Sequence, residues 1–465
     1  MCAFAWRRAA DLGAATYSRI AAICCGRSYS TASAGRDVLV RDVCIIGGGT
    51  SGVFSAIRLR DAGKTVALIE REHRLGGHNL TYQDAASGAK TEAGVVVIRD
   101  SPVAHAFFGR FGIQLVKFDP PPPAATVFVD FTTGKKVDLT PRDPAQAFAV
   151  YAAQLARYPF LDHGFDLPDP IPQDLLIPFG EFVKKYDLGA MVMMASKLGQ
   201  GLGDLLAQPT LYVMKNFGIT ALKGFENGFL VPEGGDNSEI YVKALAELGE
   251  NVLLGSSVIS ARRDAGRVWI TVQTPSGQRL VEAKKLLITI PPTGESLKGF
   301  DLDAEEQSLF SQFRYSGYWT LLLRNTGIPD SHYIINVGLG TPQHLPRLPA
   351  IYEITPTGIP NLVNVKYGSP VALSDEDVTA DVMAGLSRLR GAGTVRTDLE
   401  PQVALYSSHT PFELTVPVSA IQSGFYGRLN ALNGHRGTFY TGAAFQAHDA
   451  SLLWEYTDRV LRKLL

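Results

Sequence analysis

The first strong hydrophobic pattern is a mainly apolar run, Val38–Ile46, that ends in the glycine-rich segment 47–52. Such a run predicts a strand buried on both faces of a parallel sheet. A helix is predicted over residues 51–62, because apolar residues recur there at helical spacing. A second buried strand is predicted over residues 65–70, which completes a β–α–β unit of about 30 residues.

The remaining pattern mixes helices with short strands. Residues 143–224 are predicted to be mostly helical, and a last helix is predicted over residues 450–464. Another helix, 238–248, follows the capping-box spacing of Asp236 and Glu239. Short strands are predicted over residues 252–254, 258–262, 268–273, 280–282, 285–290 and 438–441.

The glycine-rich segment has the spacing of a dinucleotide site, Gly47-x-Gly49-x-x-Gly52. Gly47 would allow the tight turn, Gly49 the close approach of a pyrophosphate, and Gly52 the packing of the helix on the sheet. Ser51 lies in the first helical turn, where backbone N–H groups favour phosphate. Glu70 ends the second strand, where a carboxylate accepts hydrogen bonds from ribose hydroxyls. The alternative is a glycine turn that binds no nucleotide.

Composition and charge exclude several other functions. The 465 residues are 46% apolar, and 44 basic residues balance 45 acidic ones. This is the composition of a globular protein of two or three domains, with no basic excess to bind nucleic acid. Four cysteines stand at positions 2, 24, 25 and 44, so neither a disulfide framework nor a zinc site is expected. No apolar run is long enough for a transmembrane anchor.

Residues 1–34 have the composition of a targeting segment. They contain four arginines and one acidic residue, Asp11, and are rich in alanine and serine. This pattern predicts a mitochondrial presequence, with cleavage after Tyr29 in Arg27-Ser28-Tyr29-Ser30. The alternatives are a flexible extension or a misassigned start, with a cytoplasmic protein.

The segment after the second strand resembles a known family. Arg74-Leu75-Gly76-Gly77-His78 is similar to the motif with which the flavin-containing amine oxidase superfamily wraps FAD. The resemblance implies cofactor contacts from Arg71, Arg74, Gly76, Gly77 and His78. It also implies an adenine contact from the main chain of Val258, and flavin contacts from Gly442 and Ala443 in the closing motif 438–444.

This resemblance implies an α/β fold with a Rossmann-like FAD-binding domain and an inserted α+β substrate domain. The FAD-binding domain would comprise residues 38–100, 225–300 and 430–465. The substrate domain would comprise residues 101–224 and 301–429.

The sequence also departs from the amine oxidases. The two aromatic residues of their amine cage have no clear counterparts, and the strand 317–323 lacks their lysine. No cysteine follows Cys44, which excludes a cysteinyl flavin. A histidyl tether at His409, one at His78, or FAD held without a covalent bond remain alternatives.

The histidine of the wrap, the segment 409–412 and the ending 442–454 resemble fungal FAD oxidoreductases of the β-cyclopiazonate dehydrogenase type. We therefore expect a hydride to leave a C–H or C–N bond of an apolar or alkaloid-like molecule, as in oxidative cyclisation or desaturation. A redox-neutral fatty-acid double-bond isomerase is the alternative, because related bacterial enzymes share the histidine. A non-catalytic binding protein of the same fold is a more remote alternative.

Three residues are candidates for contact with the substrate. His448 is predicted to be a general base, because the imidazole pKa suits proton transfer near neutral pH. Its alternative role is to cap the last helix together with Asp449. Tyr318 and Trp319 are predicted to line an apolar pocket, with ordinary strand core as the alternative.

Overall fold

The computed structural model describes residues 38–264 and 266–465. The predicted targeting segment and its cleavage site lie outside these residues. The strands are β1 Val38–Ile46, β2 Val66–Ile69, β3 Thr81–Gln83, β4 Lys90–Glu92, β5 Leu115–Lys117, β6 Ala125–Asp130, β7 Lys135–Lys136, β8 Leu230–Pro232, β9 Val252–Leu253, β10 Ser257–Asp264, β11 Arg267–Thr274, β12 Gly277–Ile288, β13 Arg314–Tyr315, β14 Gly317–Arg324, β15 His332–Asn336, β16 Ala350–Pro356, β17 Leu362–Ser369, β18 Gln402–Ser408, β19 Leu414–Thr415 and β20 Thr438–Tyr440.

The α-helices surround these strands and fill the segment that the sequence predicts to be helical. Among the described residues none of them is both long and apolar enough to cross a membrane. The helices are α1 Thr50–Asp61, α2 Pro102–Arg110, α3 Ala145–Leu155, α4 Gln173–Leu176, α5 Phe179–Lys185, α6 Val192–Leu198, α7 Thr210–Asn216, α8 Ile219–Asn227, α9 Glu239–Leu248, α10 Ala304–Phe310, α11 Asp375–Gly391, α12 Val418–Gln422, α13 Phe425–Ala431 and α14 Ala450–Leu464.

The first sheet has the strand order β10-β11-β12-β1-β2-β9, with β20 beside β12. Strand β1 runs parallel to both β2 and β12, so that Ile46 lies between Ile69 and Ile288. Cys44 and Ile45 are fully buried in it, as the apolar run predicts. Because parallel strands end at one edge, the glycine-rich segment, Glu70 and the end of β20 all meet there.

The second sheet has the order β18-β14-β17-β16-β15-β6-β7. One of its faces packs against α11, where Leu321 and Val365 join Val382 in a separate core. Side chains alternate across a strand, so Thr320 and Leu322 lie on the other face, against Ala93. This second face is directed towards the FAD-wrap segment. The predicted boundaries of the two domains stay a prediction.

Two local predictions are wrong. The strands predicted over 280–282 and 285–290 are one strand, β12, because residues 277–283 pair with β11 and residues 280–283 and 285–288 pair with β1. The capping box predicted at α9 does not form. Its N-cap residue, Ser238, makes no side-chain capping bond, and the Asp236 carboxylate instead accepts from Ser238 N and Lys90.

Candidate functional site

The glycine-rich segment and the FAD-wrap segment approach each other without side chains between them. Gly76 N donates to Gly48 O at 2.9 Å. A Cβ on Gly77 would lie 3.0 Å from the Cα of Gly49. A Cβ on Gly52 would lie 1.9 Å from Gly47 O, because α1 begins directly against the preceding turn. This arrangement leaves main-chain N–H groups accessible for a ligand, as the dinucleotide motif predicts.

The start of α1 provides an unused hydrogen-bonding group. Ser51 is 5% exposed, and its Oγ has no hydrogen-bond partner among the described residues. The helix has neither a side-chain cap nor an acidic residue in its first turn. Free N–H groups, the helix dipole and an unpartnered hydroxyl together fit a phosphate group.

Glu70 is held at the end of β2 by main-chain donors. Gly48 N donates to its carboxylate at 2.6 Å, and Glu72 N does so at 2.8 Å. The chain before β10 lies alongside, because Ser256 N donates to Glu70 O at 2.8 Å. Val258 is two residues further on and pairs with Val272 in β11. The structure thus places Val258 near Glu70, and its adenine contact stays a prediction.

The two arginines of the wrap have different surroundings. The Arg74 guanidinium donates to Asn79 O at 2.9 Å and to Gly77 O at 2.8 Å, so it fixes the shape of its own loop. The Arg71 side chain is 76% exposed and contacts Glu72 at 3.4 Å. Nothing in the structure supports a cofactor contact for Arg71. Arg74 fixes the turn at Gly76 and Gly77, and the cofactor contact of these residues stays a prediction.

Three histidines that are far apart in the sequence lie together beside this loop. The ring centroids of His78 and His409 are 4.7 Å apart, and those of His78 and His448 are 5.9 Å apart. Phe412 stacks on His448 at 3.8 Å, and Tyr318 stacks on His409 at 5.6 Å. We call these five residues the histidine cluster. Both candidate tether positions and the candidate base therefore belong to one site.

Burial keeps these imidazoles neutral. Desolvation, and then the positive charge of Arg74, lowers the pKa of His78 to about 4. Desolvation likewise lowers the pKa of His448 to about 3, and that of His409 falls well below its ordinary value. At neutral pH each ring has one nitrogen lone pair. The pKa of His448 is therefore not matched to neutral pH, as the sequence-based argument for a general base assumed, and that role stays a prediction that depends on the position of the ring.

The orientation of His448 follows from its contacts. Its Nε2 lies 3.1 Å from Phe412 O, an acceptor, so Nε2 carries the hydrogen and Nδ1 carries the lone pair. The same Nε2 lies 3.4 Å from a carboxyl oxygen of Glu413. His448 does not cap the last helix. Asp449 does so by accepting from Leu452 N at 2.9 Å, and it is held by Arg99 at 2.7 Å.

Glu413 is buried, and sequence reasoning missed it. Burial raises the pKa of its carboxyl to about 8, against the opposing effects of Asn216 and Lys215. Asn216 donates to its second oxygen at 3.2 Å. Glu413 also lines a cavity of about 260 Å³ together with Arg314 and Ser316. A carboxyl group that is neutral near pH 7 lies between His448 and this cavity.

Lys215 is a second buried charge that sequence reasoning missed. Its ammonium donates to Leu161 O at 2.5 Å, to Gly164 O at 3.0 Å and to the Gln446 side chain. Desolvation lowers its pKa to about 7. Because Gln446 lies between the closing motif and His448, Lys215 fixes the chain that carries His448. The available signal was a single charge inside an apolar helix for Lys215, and a single charge between Phe412 and Leu414 for Glu413.

The closing motif reaches the same edge of the first sheet. Gly442 follows β20 with a φ of +113°, and a Cβ there would lie 2.9 Å from Thr289 O. Ala443 begins a short 3₁₀ turn that leads to Gln446 and His448. The main chain at Gly442 and Ala443 is therefore free of bulky side chains, as their predicted flavin contact requires.

The two aromatic candidates on β14 lie on opposite faces of the sheet. Tyr318 contacts His409 and lies 5.0 Å from Phe412, so it belongs to the histidine cluster. Trp319 is fully buried in the core beneath α11, where its ring lies 5.9 Å from Tyr367. The prediction that Trp319 lines the pocket is wrong, because the alternation of side chains directs it away from the cluster.

The donors at this edge fit FAD. Gly49, Gly52 and Ser51 would provide N–H groups and a hydroxyl for its phosphates, while Gly47, whose N–H donates to Ile69 O, forms the turn. Glu70 would provide a carboxylate for its ribose, and Gly442 and Ala443 would provide open main chain for its ring. Comparison with known proteins agrees with this assignment. Residues 50–447 match the family model of the flavin containing amine oxidoreductases.

Two relatives align over almost the whole chain. The FAD-dependent oxidoreductase oblC of Cochliobolus heterostrophus is 39% identical, over 92% of each chain. The β-cyclopiazonate dehydrogenase of Aspergillus oryzae is 35% identical, over 92% of this chain and 94% of its own. In fold, the chain is similar to a fatty acid isomerase from P. acnes, with a TM-score of 0.74 and 20% identity over 91% of this chain and 99% of that one. The chain thus belongs to the flavin-containing amine oxidoreductase family and is an FAD-dependent oxidoreductase.

Proposed function

We propose that this oxidoreductase removes a hydride from a C–H or C–N bond of an apolar or alkaloid-like small molecule, in an oxidative cyclisation or desaturation of secondary metabolism. The observation that carries the proposal is the position of His448, whose ring stacks on Phe412 at 3.8 Å and lies beside His78 and His409. Oxidation of a C–H bond releases a proton with each hydride, and His448 Nδ1 is available to accept it.

FAD, when bound, supplies the acceptor for the hydride. The chain holds this cofactor through Ser51, the glycines around it, Glu70, and the main chain at Gly442 and Ala443. Arg74 keeps the wrap in shape. His78 and His409 exclude water from the substrate side and present aromatic surface without positive charge.

The proton then has a route out of the site. Once Nδ1 of His448 accepts it, the imidazolium is stabilised by the Glu413 carboxyl at 3.4 Å from Nε2. A positive charge beside Glu413 favours its ionised form. Glu413 therefore releases its own proton into the cavity of about 260 Å³ that it lines. One proton enters at Nδ1 and one leaves from Glu413.

The surroundings of the site disfavour simple amines. Tyr318 and Phe412 stack on His409 and His448, and the Lys215 ammonium lies within electrostatic reach of Glu413. A small ammonium ion would meet repulsion there instead of a cage of aromatic faces, which is what stabilises cations. We therefore expect benzylamine and tyramine to reduce the flavin poorly.

Anaerobic stopped-flow spectroscopy tests the proposal. A panel of indole alkaloids and terpenoids, beginning with β-cyclopiazonate because one relative's name includes it, is mixed with the oxidised enzyme. We expect at least one compound to bleach the flavin and leave it reduced. Transient bleaching with return of the oxidised spectrum without oxygen would instead identify an isomerase. Rapid bleaching by benzylamine would contradict the proposed substrate class.

A further inference from the structure

A second polar cluster lies on the face of the second sheet that carries Tyr318. Thr320, Lys366 and Glu353 are direct neighbours across β14, β17 and β16. Thr320 Oγ1 lies 3.3 Å from His409 Nε2, so this row begins at the histidine cluster. Adjacent strands are about 4.8 Å apart, which places Glu353 about 10 Å along the row from Thr320.

The negative charge of Glu353 in this cluster is neutralised by its neighbours. Glu353 is 3% exposed, and Lys366 Nζ donates to it at 2.8 Å. The Tyr333 hydroxyl donates to its other oxygen, and Gln200 also contacts it. These partners hold the pKa of Glu353 below its usual value despite burial. Lys366 and Glu353 therefore form a buried ion pair of zero net charge.

A second lysine makes the cluster positive. Lys197 of α6 lies with Nζ 4.7 Å from the centroid of the Tyr333 ring, within electrostatic reach of Lys366 and Glu353. It forms no ion pair within residues 38–264 and 266–465. The other carboxylate near this cluster, Asp204, is exposed to solvent. One positive charge thus remains in a half-buried position without a carboxylate of its own.

We propose that this site binds an anionic head group of the substrate, a carboxylate, through Lys197. The inference rests on the proposed function and narrows its substrate class. A charge in a partly desolvated site attracts an anion more strongly than it would in water. Tyr318 and Tyr352, 6.5 Å apart, provide aromatic surface for the apolar body. The head group would bind about one to two strand spacings, roughly 5–10 Å, from His409.

Binding of a matched pair of probes to the holoenzyme tests this inference. Dodecanoate and dodecanol, which share an apolar chain, are titrated at pH 7.5 by equilibrium dialysis and by the perturbation of the flavin absorbance. We expect dodecanoate to bind at least tenfold more tightly than dodecanol. Equal affinities of the two probes for the wild-type protein would overturn the inference.

Three variants locate the effect. Lys197→Gln should reduce the preference for the acid to less than threefold, and Lys197→Arg should retain it. The double variant Lys366→Met/Glu353→Gln removes one charge of each sign, so it should retain a clear preference for the acid. Lys184→Gln, at an exposed lysine of α5, is the control and should match the wild type. Retention of the full preference by Lys197→Gln would assign it to another site.

The test is independent of turnover. If the protein prefers the acid but no compound of the apolar panel reduces its flavin, this inference stands and the proposed function is wrong. If neutral apolar compounds reduce the flavin but the protein shows no preference for the acid, the proposed function stands and this inference is wrong.

Discussion

Phe412 holds His448 through both its side chain and its main chain. The two rings stack with centroids 3.8 Å apart, and the Phe412 carbonyl oxygen lies 3.1 Å from His448 Nε2. The main-chain contact fixes the tautomer, and the stack fixes the ring plane. His448 is thereby presented as a neutral base of defined orientation, with Glu413 behind it.

Substitution of His448 should remove the base from the reductive reaction. We expect His448→Gln to slow anaerobic flavin reduction by about 10²–10⁴-fold, the usual contribution of general base catalysis. Glu413→Gln should slow it less, because His448 can still accept the proton but its release is blocked. Reduction rates measured from pH 5 to 9 are the readout. If His448→Gln keeps the wild-type rate and pH profile, His448 has only a structural role.

Glu70 should control retention of FAD. Glu70→Ala removes charge-assisted hydrogen bonds worth about 1.5–3 kcal/mol, which corresponds to roughly 10–100-fold weaker binding. The measurement is the dissociation constant for FAD from titration of apoprotein. Glu72→Ala is the control, because the Glu72 side chain is 58% exposed and forms an ion pair with the exposed Arg71. Equal loss of FAD from both variants would show that Glu70 acts only on the local fold.

Gly442 should be essential for flavin binding. Gly442→Val places a branched side chain where φ is +113° and where even Cβ would lie 2.9 Å from Thr289 O. We expect protein that folds with little bound flavin, because both the strain and the added volume fall on the predicted ring site. Flavin content per folded protein is the readout, and Gly391→Ala, which has open space around its Cβ, is the control. Full flavin content in Gly442→Val would place the ring elsewhere.

The buried histidines should make the protein less stable in acid. The pKa values of His78 and His448 are lowered to about 4 and about 3, so the unfolded chain binds more protons below pH 6.5. Each of these histidines should lower the free energy of unfolding as pH drops from about 6.5 towards 4, by up to about 1.4 kcal/mol per pH unit. Glu413 and Glu92 act in the opposite direction, because their raised pKa values let the folded chain bind more protons in this range. Urea unfolding of the wild type and of His448→Phe isolates the histidine effect, and the variant should lose less stability between pH 6.5 and 4.5. Equal pH dependence of the two proteins would contradict this account.

The amino terminus is expected to be processed in mitochondria. The arginines of residues 1–34 and the Arg27-x-Tyr29-Ser30 pattern predict a mature protein that begins at Ser30. N-terminal sequencing of protein isolated from its native source, with fractionation of the cells, is the measurement. An intact Met1 in a cytosolic fraction would support the alternative of an unprocessed extension.

The cofactor half of the site could be predicted from the sequence because it is local. The strand, the glycine turn, α1 and Glu70 lie within about one β–α–β unit, and their chemistry depends on backbone geometry that glycine spacing reveals. The FAD wrap at Arg74 to His78 follows directly and was identified by its resemblance to a family. The structure confirms the elements, and the comparisons confirm the family and the cofactor.

Only the tertiary structure decided which side chains meet. His78, His409 and His448 were each noticed along the chain, but their contact depends on the packing of two sheets around segments hundreds of residues apart. The sequence also does not show which face of β14 is buried. In the structure α11 packs on the face that carries Trp319, so Tyr318 on the opposite face reaches the histidine cluster. Glu413, Lys215 and Lys366 carry charges whose pairing and desolvation arise only on folding. Hydrophobic periodicity reports burial along one element, whereas the chemistry of this site depends on distances between elements.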